Sequence, residues 1–229
     1  MDDNHHTQKD TRARIKVWDL PIRLFHWLLV IAFCLSTYSA FQDKFGIYAT
    51  MHIWSGFTVI VLVSWRIVWG LVGSDTARFT TFIKSPLAAL AYLKTMRKKQ
   101  SKSPIGHNPL GGYSVMLMLV ILLAQAIIGL FGSDSMFFEG PLAYRVGDLA
   151  GDITDIHEIL GLFLIGLVSL HITMVLLYHL VKKTNLIMPM ISGHMLRETL
   201  GEKPLKFRSS LLALFLLLPV GGLSYYLIF

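Results

Sequence analysis

Long apolar segments alternate with shorter polar ones along almost the whole chain. Five of them reach the ~20 residues that a helix needs to cross a hydrocarbon core of ~30 Å. They cover residues 22–41, 48–71, 112–131, 155–181 and 210–229. The pattern therefore predicts an all-α membrane protein, a bundle of four transmembrane helices followed by a fifth, C-terminal transmembrane helix.

The polar segment after the second span contains a shorter helical pattern, SPLAALAYLKTMRKK. Ser85 followed by Pro86 is typical of a helix start, because proline has no N–H to leave unpaired in the first turn. Leu87 and Leu90 follow at helical spacing, and Lys and Arg residues cluster at the far end. We expect a short helix lying in the membrane interface.

Composition and charge agree with this topology. The 229 residues are only 15% charged, and the mean hydropathy of +0.57 is too high for an ordinary soluble domain. Of the 21 Lys and Arg residues, five lie in residues 1–23, seven in 72–112 and six in 182–208. These are alternate polar segments, so the positive-inside rule predicts a cytoplasmic N-terminus and a C-terminus on the outer side of the membrane. The distribution of the basic residues thus predicts how the chain is oriented in its membrane, and the net charge of +7 does not indicate nucleic-acid binding.

The predicted outer loop, residues 132–156, is acidic. It contains Asp134, Glu139, Asp148, Asp152 and Asp155. Ordinary solvation explains such a loop, but it also motivates the hypothesis that a protein partner with a basic face docks there by electrostatic steering.

Cysteine chemistry is excluded. Cys34 is the only cysteine and lies in the first span, which rules out a disulfide framework, covalent haem attachment through a Cys-x-x-Cys-His motif and a cysteine-ligated iron–sulfur cluster. No glycine-rich phosphate-binding motif is present either, so a nucleotide-driven pump is not indicated.

Four histidines lie inside the apolar segments, and their depths match in pairs. His157 and His171 are fourteen residues apart, which on a helix is about 21 Å and close to four full turns, so they share one face. With the predicted orientation, His52 is level with His157 near the outer surface, and His26 is level with His171 near the inner surface. Two facing imidazoles are what a haem with two histidine ligands requires.

Other readings of these histidines stay open. A single buried histidine is more often an interhelical hydrogen-bonding residue than a ligand. A metal-ion or proton transporter could use the same four histidines as stepping stones. His179 falls off the ligand face, and His107 and His194 lie in predicted cytoplasmic loops, so all three are weaker candidates.

Glycines and arginines add candidates for the surroundings of a haem. Gly56 and Gly161 each follow a histidine by four residues, and the missing side chains leave room for a flat ring, although glycine also serves plain helix packing. Arg66 near the inner end of the second span and Arg23 just before His26 are candidate partners for haem propionates.

Several motifs together resemble the bacterial cytochrome b561 family, in particular the membrane b-type cytochrome subunits of nickel–iron hydrogenases. The segments that carry the resemblance run from about residue 15 to 195: LPIRLFHWLLV, MHIWSGF, RIVWGLVGSDTARF, GHNP and HEILGLFLIGLVSLH. The resemblance implies a four-helix bundle with two b-type haems and the ligands His26, His52, His157 and His171. It also implies electron transfer between quinone and a periplasmic-side partner, either a hydrogenase, a dehydrogenase or a c-type cytochrome. One branch of the family oxidises superoxide and reduces quinone instead.

These expectations divide the chain into three parts: a cytoplasmic tail, residues 1–14; a di-haem transmembrane domain, residues 15–195; and a linker with the fifth helix, residues 196–229. The fifth span departs from the four-helix pattern. We expect an electron-transfer subunit of a respiratory oxidoreductase rather than a stand-alone enzyme, with quinone as its diffusible redox partner.

Overall fold

The structure, a computed structural model, describes residues 12–43, 45–96, 106–134, 136–198 and 204–229. Within them, five helices are long and apolar enough to cross a membrane. These are α1 (Leu20–Ala40), α2 (Gly46–Val72), α5 (Pro109–Gly129), α6 (Ala150–Leu180) and α8 (Ser210–Ile228). The five predicted spans are confirmed as helices. Four of them start two to five residues earlier than the hydropathy pattern indicated, and α8 starts at the predicted residue 210.

The remaining elements are short. They are the strands β1 (Arg12–Lys16) and β2 (His194–Glu198) and the helices α3 (Phe79–Phe82), α4 (Pro86–Met96) and α7 (Ile187–Ser192), together with two 3₁₀ turns at Ala143–Arg145 and Gly147–Leu149. The short helix predicted after Ser85 is therefore confirmed as α4. Residues 1–11 of the predicted tail and 199–203 of the predicted linker lie outside the described residues.

Capping residues explain why two of the spans, α1 and α5, start earlier than predicted. The Oδ1 of Asp19 accepts from the N–H of Ile22 at the start of α1, and the side-chain oxygen of Asn108 accepts from the N–H of Gly111 at the start of α5. Each satisfies one of the unpaired N–H groups of a first helical turn. Proline follows each cap within the first two helical positions. A hydropathy pattern cannot register such starts, because the caps are polar.

The second span is the centre of the bundle. α2 packs against α1, α5 and α8, whereas α6 packs mainly on α5. Half of the most apolar part of α2 is buried in protein, against 6% for α6. The fifth helix joins at α2, where the indole N–H of Trp65 donates to the carbonyl of Ala213 at 2.9 Å. The histidine-bearing helices α1 and α2 therefore form one side of the bundle, and α6 faces them beside α5.

An antiparallel two-stranded sheet closes one end of the bundle. β1 pairs with β2, from Arg12 opposite Glu198 to Lys16 opposite His194. Gly193 ends α7 with a φ of +81°, and a Cβ there would lie 2.9 Å from the carbonyl oxygen of Trp18, so only glycine fits. Its own carbonyl accepts from the N–H groups of Val17 and Trp18. The predicted boundaries at 14/15 and 195/196 fall within these paired strands.

The same end gathers the other basic segments. The backbone of Lys206 exchanges hydrogen bonds with Asp75, and the N–H of Arg208 donates to the hydroxyl of Ser74. The N-terminal strand, the segment after α2, the segment after α6 and the start of α8 therefore lie together. The loop joining α5 and α6 lies at the other end, as alternate crossing requires. We refer to the two ends as the inner end, which carries the sheet, and the outer end.

Candidate cofactor sites at the two ends of the bundle

The outer site contains His52 of α2 and His157 of α6. Their ring centroids are 6.0 Å apart and the rings are nearly perpendicular, at 84°. Two metal–imidazole bonds of about 2 Å each, plus the inner half of each ring, amount to about 6 Å. The separation of the two ring centroids therefore leaves room for one metal atom between the imidazoles.

Hydrogen bonds settle which nitrogen of each ring carries the proton. Nδ1 of His52 lies 3.0 Å from the carbonyl oxygen of Ser36, with the hydroxyl of Ser39 at 3.3 Å, and Nδ1 of His157 lies 3.0 Å from the carbonyl oxygen of Gln125. A carbonyl oxygen can only accept, so Nδ1 is the protonated nitrogen in both rings and Nε2 keeps its lone pair. This is the arrangement in which a carbonyl orients a metal-binding histidine.

A cavity of about 440 Å³ lies beside these rings. Its wall includes the two glycines that the sequence singled out, Gly56 and Gly161, and one that it missed, Gly129 of α5. A Cβ at Gly56 would meet nothing within 4 Å, whereas a Cβ at Gly129 would lie 2.6 Å from Cε1 of His157. Gly56 therefore leaves the cavity wide, and Gly129 makes room for the histidine ring itself.

Sequence reasoning missed three further outer-site residues, Ser36, Ser39 and Gln125. Ser36 acts through its backbone, which no side-chain pattern reveals. Gln125 did carry a signal, because it is the only amide or charged side chain in α5, and a polar group at that depth is costly unless it has a partner. The prediction drew on histidines, arginines and glycines and passed over it.

The inner pair, His26 of α1 and His171 of α6, lies at the sheet end. The two rings are close enough to interact electrostatically. Nδ1 of His26 is buried and has no hydrogen-bond partner. The structure thus brings the four histidines together in the two predicted pairs, while their assignment as haem ligands stays a prediction.

Buried cationic groups lie at the same end of the bundle as the inner pair. Arg66 is 3% exposed, donates from Nη2 to the carbonyl of Ala77 at 3.0 Å and packs against the ring of Phe79, but its Nη1 has no partner. Arg23 donates from Nη1 to the carbonyl of Ile191, and its Nε is buried and unpaired. Donors left unpaired in a buried site favour a ligand with acceptor oxygens, because an unsatisfied buried donor costs about 1–3 kcal/mol.

His107 lies at this inner site, although the sequence placed it in a loop with little chance of a role. Its ring packs edge-on against Trp18, with the ring of Phe82 on another side. Burial, with smaller contributions from Arg66 and His171, lowers the pKa of His107 to about 3. The loop position hid this residue, because the packing of Trp18 and of Phe82 in α3 around it is tertiary. His179 and His194 are not brought to either pair: His179 is exposed near the end of α6, and His194 begins β2.

Comparison with known proteins identifies the chain's relatives. A sequence profile of the prokaryotic cytochrome b561 family matches residues 17–193, more than three quarters of the chain. The chain belongs to the prokaryotic cytochrome b561 family. It is a multi-pass membrane protein and a b-type cytochrome in electron transfer, and membership implies haem b.

Individual relatives are more distant. The chain is 26% identical over 227 residues to a protein of Rhizobium leguminosarum bv. viciae named probable Ni/Fe-hydrogenase B-type cytochrome subunit, covering 85% of this chain and 94% of that one. It is 24% identical to the probable Ni/Fe-hydrogenase 1 B-type cytochrome subunit of Escherichia coli K12, over 78% and 89% of the two chains. An Azotobacter vinelandii protein with the same description as the Rhizobium one is 23% identical over 80% and 88%. No solved structure matches the chain significantly.

The residues at both ends fit the cofactor that the family implies. At the outer end, two oriented imidazoles face each other beside a cavity whose wall carries glycines. At the inner end, two histidines lie among buried donors without partners. This donor set suits a planar macrocycle with acidic substituents.

Proposed function

We propose that this cytochrome carries electrons between the quinone pool and a redox partner on the periplasmic side through two b haems. The outer haem is held by His52 and His157, and the inner haem by His26 and His171, within a di-haem domain spanning residues 15–195. The observation that carries the proposal is the outer pair, with its ring separation of 6.0 Å and both Nδ1 atoms hydrogen-bonded to backbone carbonyls.

The protein's part is to bind and orient. Haem iron held by two histidines supplies one-electron transfer. Ser36 and Gln125 fix the tautomer of each outer ring through their carbonyls, so Nε2 is the available ligand atom. Gly56, Gly161 and Gly129 keep the neighbouring space open, and α2 and α5 exclude water and lipid from it.

The inner end supplies charge compensation. Arg66 and Arg23 have buried donor atoms without partners, and we assign them to the propionates of the inner haem. His107 stays neutral beside them and fills the space between Trp18 and Phe82. We infer that quinone reacts near this inner haem, since the family implies quinone and the inner end has buried nitrogen atoms without partners on Arg66, Arg23 and His107.

The orientation follows from charge. The N-terminal segment, the segment after α2 and the segment after α6 carry most of the Lys and Arg residues, and the described parts of these segments lie together at the inner end. We infer a protein of the bacterial inner membrane with this end in the cytoplasm and the C-terminal end of α8 on the periplasmic side.

The outer cavity favours a protein partner over superoxide. Its rim includes the carboxylates of Asp43, Asp134 and Glu158, and Asp148, Asp152 and Asp155 are exposed nearby. A negative rim repels a small anion such as superoxide and attracts a basic protein face. A hydrogenase, a dehydrogenase or a c-type cytochrome is therefore the preferred partner, and the hydrogenase is supported by the relatives' names. A superoxide:quinone oxidoreductase is the second candidate, on family resemblance alone.

Transport of metal ions or protons is the alternative from another class. Among the described residues, no three His, Cys, Asp or Glu side chains form a cluster suited to a bare metal ion. Two imidazoles at each end suffice when a porphyrin provides the remaining ligands, which favours haem over ion transport.

The test is a haem determination on the purified protein by pyridine haemochromogen assay, with reduced-minus-oxidised spectra. We expect two b haems in the wild type, loss of one in His52→Ala and loss of the other in His171→Ala. The matched control is His179→Ala, which removes an exposed histidine of α6 and should keep both haems. A colourless wild type made with adequate haem supply would contradict the proposal and leave ion transport as the better reading, to be measured as ion flux in liposomes.

A further inference from the structure

The helix α5 has no histidine, yet it touches the outer site more closely than a packing helix needs to. Gln125 lies on its cavity side, and the carbonyl of this residue already accepts from Nδ1 of His157. Its side chain makes two further approaches to the same histidine. Nε2 of Gln125 is 2.9 Å from the backbone carbonyl oxygen of His157 and 3.3 Å from Nε2 of its ring.

The orientation of the Gln125 amide follows from its neighbours. The carbonyl of His157 can only accept, and Nε2 of the ring carries a lone pair because Nδ1 holds the proton. Both neighbours are therefore acceptors, and only the NH₂ group of the amide, with its two N–H bonds, suits both. Reversing the amide would place an oxygen against two acceptors. Oε1 points away and has no hydrogen-bond partner, although it is buried.

One of these two hydrogen bonds uses the atom that would bind iron. The lone pair on Nε2 of His157 can accept an N–H of Gln125 or bind a metal, but it cannot do both. The bond to the backbone carbonyl carries no such conflict. Because Gln125 borders the cavity, its amide has space into which it can turn while it keeps that second bond.

We propose that the side-chain amide of Gln125 is an internal competitor for Nε2 of His157 and so controls how readily the outer haem is loaded and released. Gln125 is a positioning residue that acts through His157. The inference rests on the proposed function, because it takes His157 as a haem ligand. It assigns to α5, which carries no haem ligand, the control of the outer site alone.

Gly161 fits this role. A Cβ at position 161 would lie 3.0 Å from Nε2 of Gln125 and press on the amide. A glycine on α6, one turn from His157, therefore leaves room for the amide of Gln125 as well as for a flat ring. This second requirement is specific to the outer site.

The experiment measures haem release from the full-length, haem-loaded protein to excess apomyoglobin. The variant is Gln125→Met, which keeps a side chain of similar length and volume but has no N–H to offer. The phase that belongs to the outer haem is identified by its absence in His52→Ala. The matched control is Ile127→Met, on the same helix but away from the cavity and 42% exposed.

We expect the outer phase to slow about five-fold in Gln125→Met, since the freed nitrogen is no longer captured by an amide hydrogen bond worth ~1 kcal/mol. The inner phase and the Ile127→Met control should match the wild type. If haem release is unchanged in Gln125→Met, the amide only fills space. If release is faster, the amide stabilises the bound haem. Either result overturns the inference.

The inference and the proposed function fail in different ways. If the wild type shows no phase that His52→Ala removes, the ligand assignment is wrong and the inference falls with it. If that phase exists but does not slow in Gln125→Met, only the role of Gln125 is wrong.

Discussion

The two ends of the bundle orient their histidines by different means. At the outer end, both rings donate to backbone carbonyls of neighbouring helices, and three glycines leave space beside them. At the inner end, Nδ1 of His26 has no partner, and the surroundings contain Arg66, Arg23 and His107, each with a buried nitrogen that has no partner either. The outer site depends on shape, and the inner site depends on charge.

This difference follows from how each end is built. The outer site lies between helices whose carbonyls are fixed by their own backbone, so it needs few polar side chains. The inner end brings together four chain segments through β1, β2 and the loop after α2, and its buried arginines, Arg23 and Arg66, belong to α1 and α2. A change in volume should therefore damage the outer site selectively, and a change in charge the inner site.

The largest effect is expected for Arg66→Met, which removes the buried charge at similar volume. The carbonyl of Ala77 loses its donor, so we expect a loss of about 2–3 kcal/mol in the free energy of unfolding, together with selective loss of the inner haem. Unfolding in mixed detergent micelles and haem spectra measure the two. Arg145→Met, in the exposed outer loop, is the control and should change stability by less than ~0.5 kcal/mol. Equal loss of both haems would erase the contrast between the two ends.

The reciprocal change is Gly129→Ala. The added Cβ would lie 2.6 Å from Cε1 of His157, so the ring must move, and overpacking of this kind costs about 1–3 kcal/mol. We expect the outer haem to be lost or its spectrum to shift, with the inner haem unchanged. Haem content and electron paramagnetic resonance spectra measure this.

Two other glycines make Gly129→Ala more informative. Gly166→Ala on α6 adds a methyl group that meets nothing within 4 Å, so it should be silent. Gly56→Ala also meets no protein atom, but its methyl group points toward the cavity. Weaker haem binding in Gly56→Ala with unchanged stability would sharpen the assignment of the cavity to the outer haem, and a silent Gly56→Ala would argue against a ring beside that residue.

A smaller effect concerns the outer surface. Neutralising Asp148, Asp152 and Asp155 to Asn should lower the rate of electron transfer with a basic c-type cytochrome about ten-fold at low ionic strength, with little change at high salt. Stopped-flow kinetics in proteoliposomes measure it, and Lys84→Gln on the inner face is the control. If the triple variant keeps both the rate and its salt dependence, the acidic loop is not a docking surface.

The smallest effect is a pH dependence at the inner end. The pKa of His107 is lowered to about 3, against about 6.5 in an unfolded chain. Between these values the unfolded chain binds a proton that the folded protein does not, so stability falls as pH drops below 6.5, by ~1 kcal/mol at pH 5.5. His107→Leu should remove this part of the pH dependence. Unfolding curves for variant and wild type that run parallel between pH 5 and 8 would contradict it.

Much of the fold could be predicted from the sequence because a bilayer restricts the choices. Backbone groups in hydrocarbon must pair internally, so an apolar stretch such as 155–181 can only become a helix. The capped starts at Asp19 and Asn108 escaped the prediction, since those polar residues lie outside the apolar pattern. The sheet between β1 and β2 escaped it too, because its paired residues are 178 to 186 positions apart in the chain, from Lys16 with His194 (194 − 16) to Arg12 with Glu198 (198 − 12).

The candidate site divides in the same way. The depth of His26, His52, His157 and His171 follows from sequence position and helical rise, and so did their pairing. The roles of Gln125, Gly129 and His107 could not be predicted in this way, because each depends on a contact with a residue of another helix or loop. The sequence does show Gln125 as a lone amide in a span, but it does not show that this amide contacts His157.

From the sequence alone follow the number of spans and the levels at which histidines occur, and the distribution of Lys and Arg predicts the orientation of the spans in the membrane. These are properties of one helix at a time and depend only on rise, length and charge. Tertiary structure alone decided that backbone carbonyls of Ser36 and Gln125 select the ring tautomers, that Gly129 makes room for His157, and that Arg66 and His107 meet at the inner end. Such features depend on the rotation and separation of neighbouring helices, and these are set by how all the side chains between them pack.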